Sequence, residues 1–541
     1  MQANLNIPLL DLIIIVVYLL GIMAVGIYAT RKQTMDTNNY FLAGRGLKWG
    51  MIGAALFASN ISTIHLIGLA ASGYNEGIVW GNFEWMASIT LILLGLVFAP
   101  FYFKNKISTL PEFLEKRYGP GSRSFLAFMA VLAALFIHIG MSLYAGAAIF
   151  NDFFGINVYV SVIIISVITA IYTILGGLKA VVITESIQTV LLVLGAVLVT
   201  VFAIMALPSH GIHTLAQFKA ALKPGQLDMI HTNNSQGLAW YAVILGYPIL
   251  GVWYWCSDQT IVQRVLGAKS EKQAQLGPLF AGFLKILPVF ILVLPGVIGY
   301  VLFKNIIGSD SNQTLPVLIN QLIPTGLKGL ITAGMLAALM STVAAALNSI
   351  ATLVAVDIVK RIKPKTSDRK QVNIGKVAAV GVMILAMLWS TQGGKYSSIF
   401  DAINAIAADL APPITTVFIF GVFWKRGTKQ ASLATLIFGF TMGAIAFILD
   451  LPVFGHTKII TQVWGIPFMM QAWWMFIITS VFFVIVSLAT PKPDPKKIEG
   501  LTWDNPIKVL TRNGRIKQFS DPRVIAGILF LTMVVLYIFM R

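Results

Sequence analysis

An all-α chain that crosses a bilayer many times is the fold class this sequence predicts, on three observations. Hydrophobic residues make up 57% of the 541 and charged residues only 11%, where a soluble globular domain is about one-quarter charged; mean hydropathy is +0.82. Apolar stretches of spanning length, roughly 17 to 25 residues, recur along the whole chain. The Lys and Arg residues fall between those stretches with a strong bias to alternate loops.

The stretches read at 8–30, 49–73, 78–103, 124–150, 157–176, 180–207, 238–256, 276–303, 329–358, 374–391, 398–424, 430–450, 467–490 and 524–540, fourteen in all. The first is too long for the apolar core of a signal peptide and lacks a basic leader, so it reads as a retained helix. With the amino terminus outside, thirty-one of the 39 Lys and Arg, Arg264 among them, fall in inward loops, seven in outward loops, and Lys285 alone within a span. The positive-inside rule then predicts fourteen spans with both termini outside, in a plasma or inner membrane. The net charge of +18 follows from that topology and predicts no nucleic-acid partner. Lone Cys256 can form neither an internal disulfide nor a cysteine-based metal site. The largest loops, 208–237 and 491–523, are too short for a separate domain, so residues 1–541 read as a single transmembrane domain.

Polar groups are costly at membrane depth and mark sites, pathways or packing contacts there. "ALFASNISTIHLIG" (55–68) sets Asn60, Ser62, Thr63 and His65 in the middle of an apolar run. Asn82 and Glu84 follow in "GNFEWMASIT", then His138, Glu185 in "ITESIQTV" and Lys285 in "GFLKILPVF". "LMSTVAAALNS" carries Ser341, Thr342, Asn348 and Ser349, and "FDAINAIAADLAPP" carries Asp401, Asn404 and Asp409. Many have a structural reading. Hydroxyls in such helices commonly bond backbone or a neighbouring helix, His138 reads as a packed histidine, Glu185 closes a loop near the inner surface, and Asp409 satisfies backbone freed by Pro412 and Pro413. Glu84 and Lys285 differ, because an unpaired buried charge is so costly that each requires a partner or a wet cavity.

Helix breakers add to this pattern. "ILGYPILGVWYW" (244–255) places Gly246, Pro248 and Gly251 inside a span, and Asn60-Ile61-Ser62-Thr63 is similarly poor in helix formers. The two lie five spans apart, and an odd offset inverts orientation. Two broken helices at corresponding places predict inverted repeats with a binding site at the midplane, where unwound carbonyls coordinate a cation.

At these residues the sequence resembles the sodium/solute symporter family, and within it the sodium–glucose cotransporter branch. The resemblance runs from "YFLAGRGLKW" (40–49) through "FASNISTIHLIGLAASGY", "TLPEFLEKRYG", "YTILGGLKAVVITESIQTVLLVLGA", "WYWCSDQTIVQRVLGAKS" and "LMSTVAAALNSIATLVAVDIVKR" to "FGVFWKR" (420–426). It implies a LeuT-like five-plus-five inverted repeat over 49–207 and 238–424, with an extra helix at 8–30 and further helices over 430–540. It implies a sodium site from Ala58, Ile61, Ala338, Ser341 and Thr342, whose carbonyl and hydroxyl oxygens suit a small hard cation. The sugar site it implies is Asn60, His65, Glu84, Tyr254, Trp255, Lys285 and Asn404. These supply donors and acceptors for ring hydroxyls and an aromatic face for the ring. Leu69, Phe83 and Phe400 are the implied outer gate, Tyr254 the inner gate, and Glu185 a residue of the ion path. Asn404 stands where glucose and galactose carriers have Gln, and Ala344 and Ala345 stand where members with a second sodium site have hydroxyls.

The function expected is sodium-coupled import of a glucose- or galactose-like monosaccharide by alternating access, one sodium per sugar. A myo-inositol or polyol carrier is the nearest alternative and a sialic-acid carrier stands behind it, although Glu84 disfavours an anion. A nutrient sensor or ion channel is the alternative of a different class. A channel would not need two opposed gates of bulky residues. Enzymatic motifs, namely H-E-x-x-H, a nucleophile elbow or a Walker loop, do not occur in the sequence.

Overall fold

The structure is a computed structural model that describes residues 8–232, 237–391, 399–450, 458–503, 516 and 518–541. Among them the secondary structure is helical apart from two isolated bridges, Leu47 with Ala268 and His231 with Ala239. The principal helices are α1 (Leu9–Thr30), α2 (Trp49–Asn60), α3 (Thr63–Glu76), α4 (Ile78–Lys104), α5 (Pro120–Ala147), α6 (Val158–Ala206), α7 (Trp240–Gly251) and α8 (Gln259–Leu266). They continue as α9 (Glu271–Ile307), α10 (Leu327–Ile362), α11 (Asp368–Ser390), α12 (Ile399–Phe423), α13 (Lys429–Leu449), α14 (Phe468–Ala489) and α15 (Pro522–Phe539).

Eleven helices among the described residues are long and apolar enough to cross a membrane, or twelve if the bent pair α2 and α3 counts as one span. The difference from fourteen has two causes. The predicted spans 157–176 and 180–207 are two helical segments that meet without a loop at a kink at Gly177 (φ 59°, ψ −156°), together the 49 residues of α6. At 1.5 Å per residue the two together measure about 74 Å, against a hydrocarbon core of about 30 Å. The bend requires glycine: a Cβ at Gly177 would lie 2.4 Å from the Tyr40 carbonyl oxygen. The predicted span 238–256 is the second case, because α7 gives way to a wide π turn at Val252–Ser257.

Helix ends gather at two faces of the bundle. On one, Arg45 donates to the Ile107 carbonyl (3.3 Å), Arg117 to the Gly421 carbonyl (3.0 Å) and Arg361 to Ser124 Oγ (2.8 Å). Arg426 reaches the Thr490 carbonyl (2.9 Å) and Lys272 reaches Ser520 (3.1 Å) on the same face. On the other, Lys223 donates to the Asn75 carbonyl (3.1 Å), Tyr74 to the Gly308 carbonyl (2.9 Å), the Met229 N–H to the Met540 carbonyl (2.8 Å) and Tyr537 to Asn82 Oδ1 (2.9 Å). The loops predicted to face inward therefore touch one another, as do those predicted to face outward. Arg264 is the exception. It is buried inside the bundle at 1% exposure rather than lying in a loop.

Among the described spanning helices the most enclosed is α10, which packs against α1, α2, α6 and α11. Its amino-terminal end is held by α1: Asp11 Oδ1 accepts the N–H groups of Gly326 (2.8 Å) and Gly329 (2.6 Å). A carboxylate there satisfies orphan donors and complements the helix dipole. Asp11→Ala should lower stability by about 1–2 kcal/mol, with Asp11→Asn losing less because it keeps the acceptor. The midpoint of thermal unfolding in detergent measures this, and an unchanged midpoint in Asp11→Ala would show that α1 does not hold α10.

Candidate functional site

The polar run in the first broken helix folds as its residues require. Asn60, Ser62 and Thr63 favour caps and turns over helix interiors, and Ile61 leaves the helix (φ −78°, ψ 99°). Ser62 is extended and begins α3, whose first turn is closed by the Ser62 N–H donating to His65 Nδ1 at 3.3 Å. The axes of α2 and α3 differ by 64°. The carbonyls that end α2 and the N–H groups that start α3 are thereby placed in the interior rather than at a membrane face.

A cavity of about 140 Å³ opens beside this break, and all seven residues of the expected sugar site line it: Asn60, His65, Glu84, Tyr254, Trp255, Lys285 and Asn404. Four of them form one chain of contacts. Lys285 makes an ion pair with Glu84 and donates to Asn60 Oδ1, and Asn60 Nδ2 donates to the Tyr254 hydroxyl at 3.1 Å. The Lys285 ammonium also stands 5.5 Å from the Trp255 ring centroid, within cation–π range. The register of α4 on α9 fixes the ion pair, because Trp85 Nε1 donates to the Ile286 carbonyl (3.3 Å) and Ser88 Oγ to the Gly282 carbonyl (2.9 Å) on either side of it. Tyr254 and Trp255 lie on the π turn after α7, a feature that is frequent at functional sites. Asp258 ends that turn and caps α8 through the Thr260 N–H (2.7 Å).

The expected cation ligands cluster one layer away. Ser341 Oγ lies 2.7 Å from the Ala58 carbonyl oxygen and 2.9 Å from that of Ala338. Thr342 Oγ1 lies 3.2 Å from both the Ser59 and Ala338 carbonyl oxygens. Two hydroxyls and three carbonyls thus converge between α2 and α10. Such neutral oxygen donors fit a monovalent hard cation. Thr342 also lines the cavity, so the cation cluster and the cavity share a wall.

Several expected residues are placed differently. Ile61 sits at the break itself, and the hydroxyls of Ser341 and Thr342 contact the carbonyls of Ala58 and Ser59 beside it. The Ser59 carbonyl was not among the expected ligands. Glu185 is not in the cation cluster: its carboxylate is held on two sides by the Arg264 guanidinium, with Arg264 Nε donating at 3.0 Å, and both groups are buried. Phe83 lines the cavity, stacked on Trp80 and Phe468. Leu69 is fully buried and is not among the residues that line the cavity with Phe83. The side chain of Phe400 lies outside those described.

The second predicted helix break is also displaced. The chain stays helical through Gly246, Pro248 and Gly251 and leaves the helix at Asp258 (ψ 125°). Gly246 and Gly251 serve close packing instead, since a Cβ would lie 2.3 Å from the Met469 carbonyl oxygen or 2.6 Å from Thr90 Cγ2. His138 Nε2 lies 3.4 Å from Asp258 Oδ2 at the cavity wall. Asp409 is buried and accepts from Gln471 Nε2 at 2.6 Å, so it braces α12 on α14. Tyr247 and Trp253 line the cavity without having been singled out; aromatic residues in spans look alike whether they face lipid or a site.

Known proteins are similar to this chain in sequence and fold. The profile of the sodium:solute symporter family matches residues 40–439. The sodium/mannose cotransporter of Bos taurus is 35% identical, the alignment covering 95% of this chain and 93% of that one. Sodium/glucose cotransporter 1 of Oryctolagus cuniculus is 33% identical over 90% and 80%, and the sodium/myo-inositol cotransporter of Homo sapiens 34% identical over 94% and 77%. Among solved structures, a sodium-coupled sialic acid symporter in its substrate-bound outward-open state superposes with a TM-score of 0.77 at 22% identity, covering 90% of this chain and 99% of that one. Mhp1, a nucleobase-cation-symport-1 family transporter, superposes with a TM-score of 0.53 at 15% identity over 86% and 99%. The chain shares the fold of these transporters and belongs to the sodium:solute symporter family, as a multi-pass membrane symporter, not an enzyme, with sodium as the co-transported ion.

Proposed function

We propose that this symporter imports a neutral monosaccharide of glucose or galactose type, one sodium per sugar, by alternating access. The observation that carries the reading is the buried chain Glu84–Lys285–Asn60–Tyr254 along one cavity wall with Trp255 beside it. A sugar ring presents several hydroxyls, each both donor and acceptor, and one less polar face. The chain offers acceptors at Glu84, donors at Lys285 and both at the Asn60 amide, and Trp255 offers an apolar surface. His65 and Asn404 complete the binding set, Phe83 closes the outer side and Tyr254 the inner side. A polyol of myo-inositol type is the second reading, favoured by the relative that carries that name. The Glu84–Lys285 pair carries no net charge, which suits a neutral solute.

The proposed sodium ligands are Ser341 and Thr342 with the carbonyls of Ala58, Ser59 and Ala338. The convergence of these five oxygens supports that reading. The topology proposed is fourteen crossings, obtained by dividing α6 at Gly177 and counting α7 with its π turn. The repeats lie over 49–207 and 238–424, both termini are outside, and the membrane is a plasma or inner membrane. The segregation of basic loop contacts to one face of the bundle supports this sidedness.

A single sodium suffices energetically. A 100 mV potential supplies ~2.3 kcal/mol per charge and a tenfold sodium gradient ~1.4 kcal/mol. Their sum sustains roughly a 500-fold accumulation of a neutral solute. Ala344 and Ala345 offer no hydroxyls for a second ion, and Glu185 is committed to Arg264. Uptake into proteoliposomes across a panel of hexoses, polyols and sialic acid, with and without a sodium gradient, tests the substrate. Sodium-driven uptake of myo-inositol in preference to every hexose would replace the first reading with the second. The reversal potential tests the coupling, and a ratio of two sodium ions per sugar would overturn the one-to-one assignment.

A further inference from the structure

Two helical turns beyond Ser341 and Thr342, α10 carries a second polar pair, Asn348 and Ser349. A seven-residue step returns to the same face about 10 Å along the axis. The step runs toward the face where basic loops gather, because α10 begins at Asp11 on the other face and ends where Arg123 Nε meets Asp357 (2.7 Å). Asn348 is 2% exposed and Ser349 0%. Even so, both side-chain polar atoms of Asn348, the hydroxyl of Ser349 and Oε1 of Gln263 have no protein partner among the described residues.

Gln263 belongs to the same neighbourhood. Its Nε2 donates to Thr352 Oγ1 (2.6 Å), and that hydroxyl donates to the Asn348 carbonyl (2.8 Å). The next residue, Arg264, neutralises Glu185. Buried polar atoms are almost always satisfied by protein, water or an ion, and three orphaned side chains linked through Thr352 on one stretch of α10 call for polar guests. The three oxygens among the orphaned atoms, one amide from each of Asn348 and Gln263 and one hydroxyl, are hard, neutral ligands suited to sodium or its hydration water. Their neutrality matters. A conducting station must bind an ion well enough to admit it and weakly enough to release it, which a free carboxylate would prevent.

We propose that Asn348, Ser349 and Gln263 form a neutral transit station through which sodium leaves the Ser341–Thr342 site toward the basic face of the bundle. The inference rests on the sodium site proposed above. It is tested on the full-length protein in proteoliposomes, with radiolabelled sodium binding, turnover of sodium-driven uptake and sugar affinity measured together. Asn348→Ala and Ser349→Ala should each lower turnover about tenfold, the scale of losing one ligand to a charged group, while sugar affinity stays as in wild type. Asn348→Asp should also lower turnover but tighten sodium binding about tenfold, which a merely packed asparagine would not do.

Wild-type turnover in both alanine variants, or an unchanged sodium affinity in Asn348→Asp, overturns the station. If Asn348 variants do not fold, Ser349→Ala and Gln263→Leu decide by the same turnover criterion. A wild-type protein that binds no radiolabelled sodium overturns the underlying sodium site instead, which keeps the two failures distinguishable.

Discussion

Lys285→Ala should abolish uptake and destabilise the folded protein by about 3–5 kcal/mol, the scale of leaving one member of a buried ion pair uncompensated. The Lys285 and Glu84 side chains are 1% and 3% exposed, so the carboxylate left behind loses its countercharge in a buried setting. Glu84→Gln should destabilise for the same reason with the sign of the orphan charge reversed. Either single variant therefore confounds lost sugar contacts with lost stability, and a double variant separates them. Glu84→Gln with Lys285→Met removes both charges and should recover most of the stability. It should not recover substrate binding, which stays weaker by at least ~2 kcal/mol because the charge-assisted hydrogen bonds to the sugar are gone. Denaturation midpoints in detergent and equilibrium substrate binding read the two effects apart. Wild-type substrate affinity in the double variant would show that the pair only holds α4 to α9.

What the sequence disclosed, and what it hid, follows from where the physics leaves a residue-level trace. A charge at membrane depth must be paired, so Glu84 and Lys285 announced themselves, and the structure makes each the other's partner. Cap-forming residues in an apolar run likewise marked the break between α2 and α3, which falls at Ile61 and Ser62 as predicted. Gly246 and Gly251 gave a similar signal for a different reason, close approach to Met469 and Thr90, and the chain breaks at Asp258 instead. Arg264 looked like one more inward loop charge because its partner Glu185 lies 79 residues away in sequence. The Ser59 carbonyl and the unpartnered atoms of Asn348 depend on three-dimensional packing, for which the residue names carry no code.

Ser341→Ala should raise the sodium concentration for half-maximal uptake by roughly tenfold or more, the equivalent of losing one oxygen ligand to a cation, with substrate affinity at saturating sodium unchanged. The argument starts from position. Ser341 is fully buried, and its hydroxyl stands within 3 Å of carbonyls on both α2 and α10. It is thus the atom where an ion would join the broken helix to the central one. Thr342 stands 3.2 Å from its two carbonyls, so Thr342→Ala should shift the sodium requirement in the same direction, whereas Thr342→Ser, which keeps the hydroxyl, should not. A purely structural role predicts something different. The loss of a neutral interhelical hydrogen bond, about 1 kcal/mol, would lower stability and leave the sodium requirement untouched. Sodium titrations of uptake in the three variants distinguish these outcomes, and wild-type sodium dependence in Ser341→Ala would move the ion site away from α10. Coupling to protons in place of sodium would appear as uptake driven by a pH gradient alone in sodium-free buffer. None is expected, because the ligand set here is hydroxyl and carbonyl oxygen, which can hold a hard cation but cannot take up a proton near neutral pH.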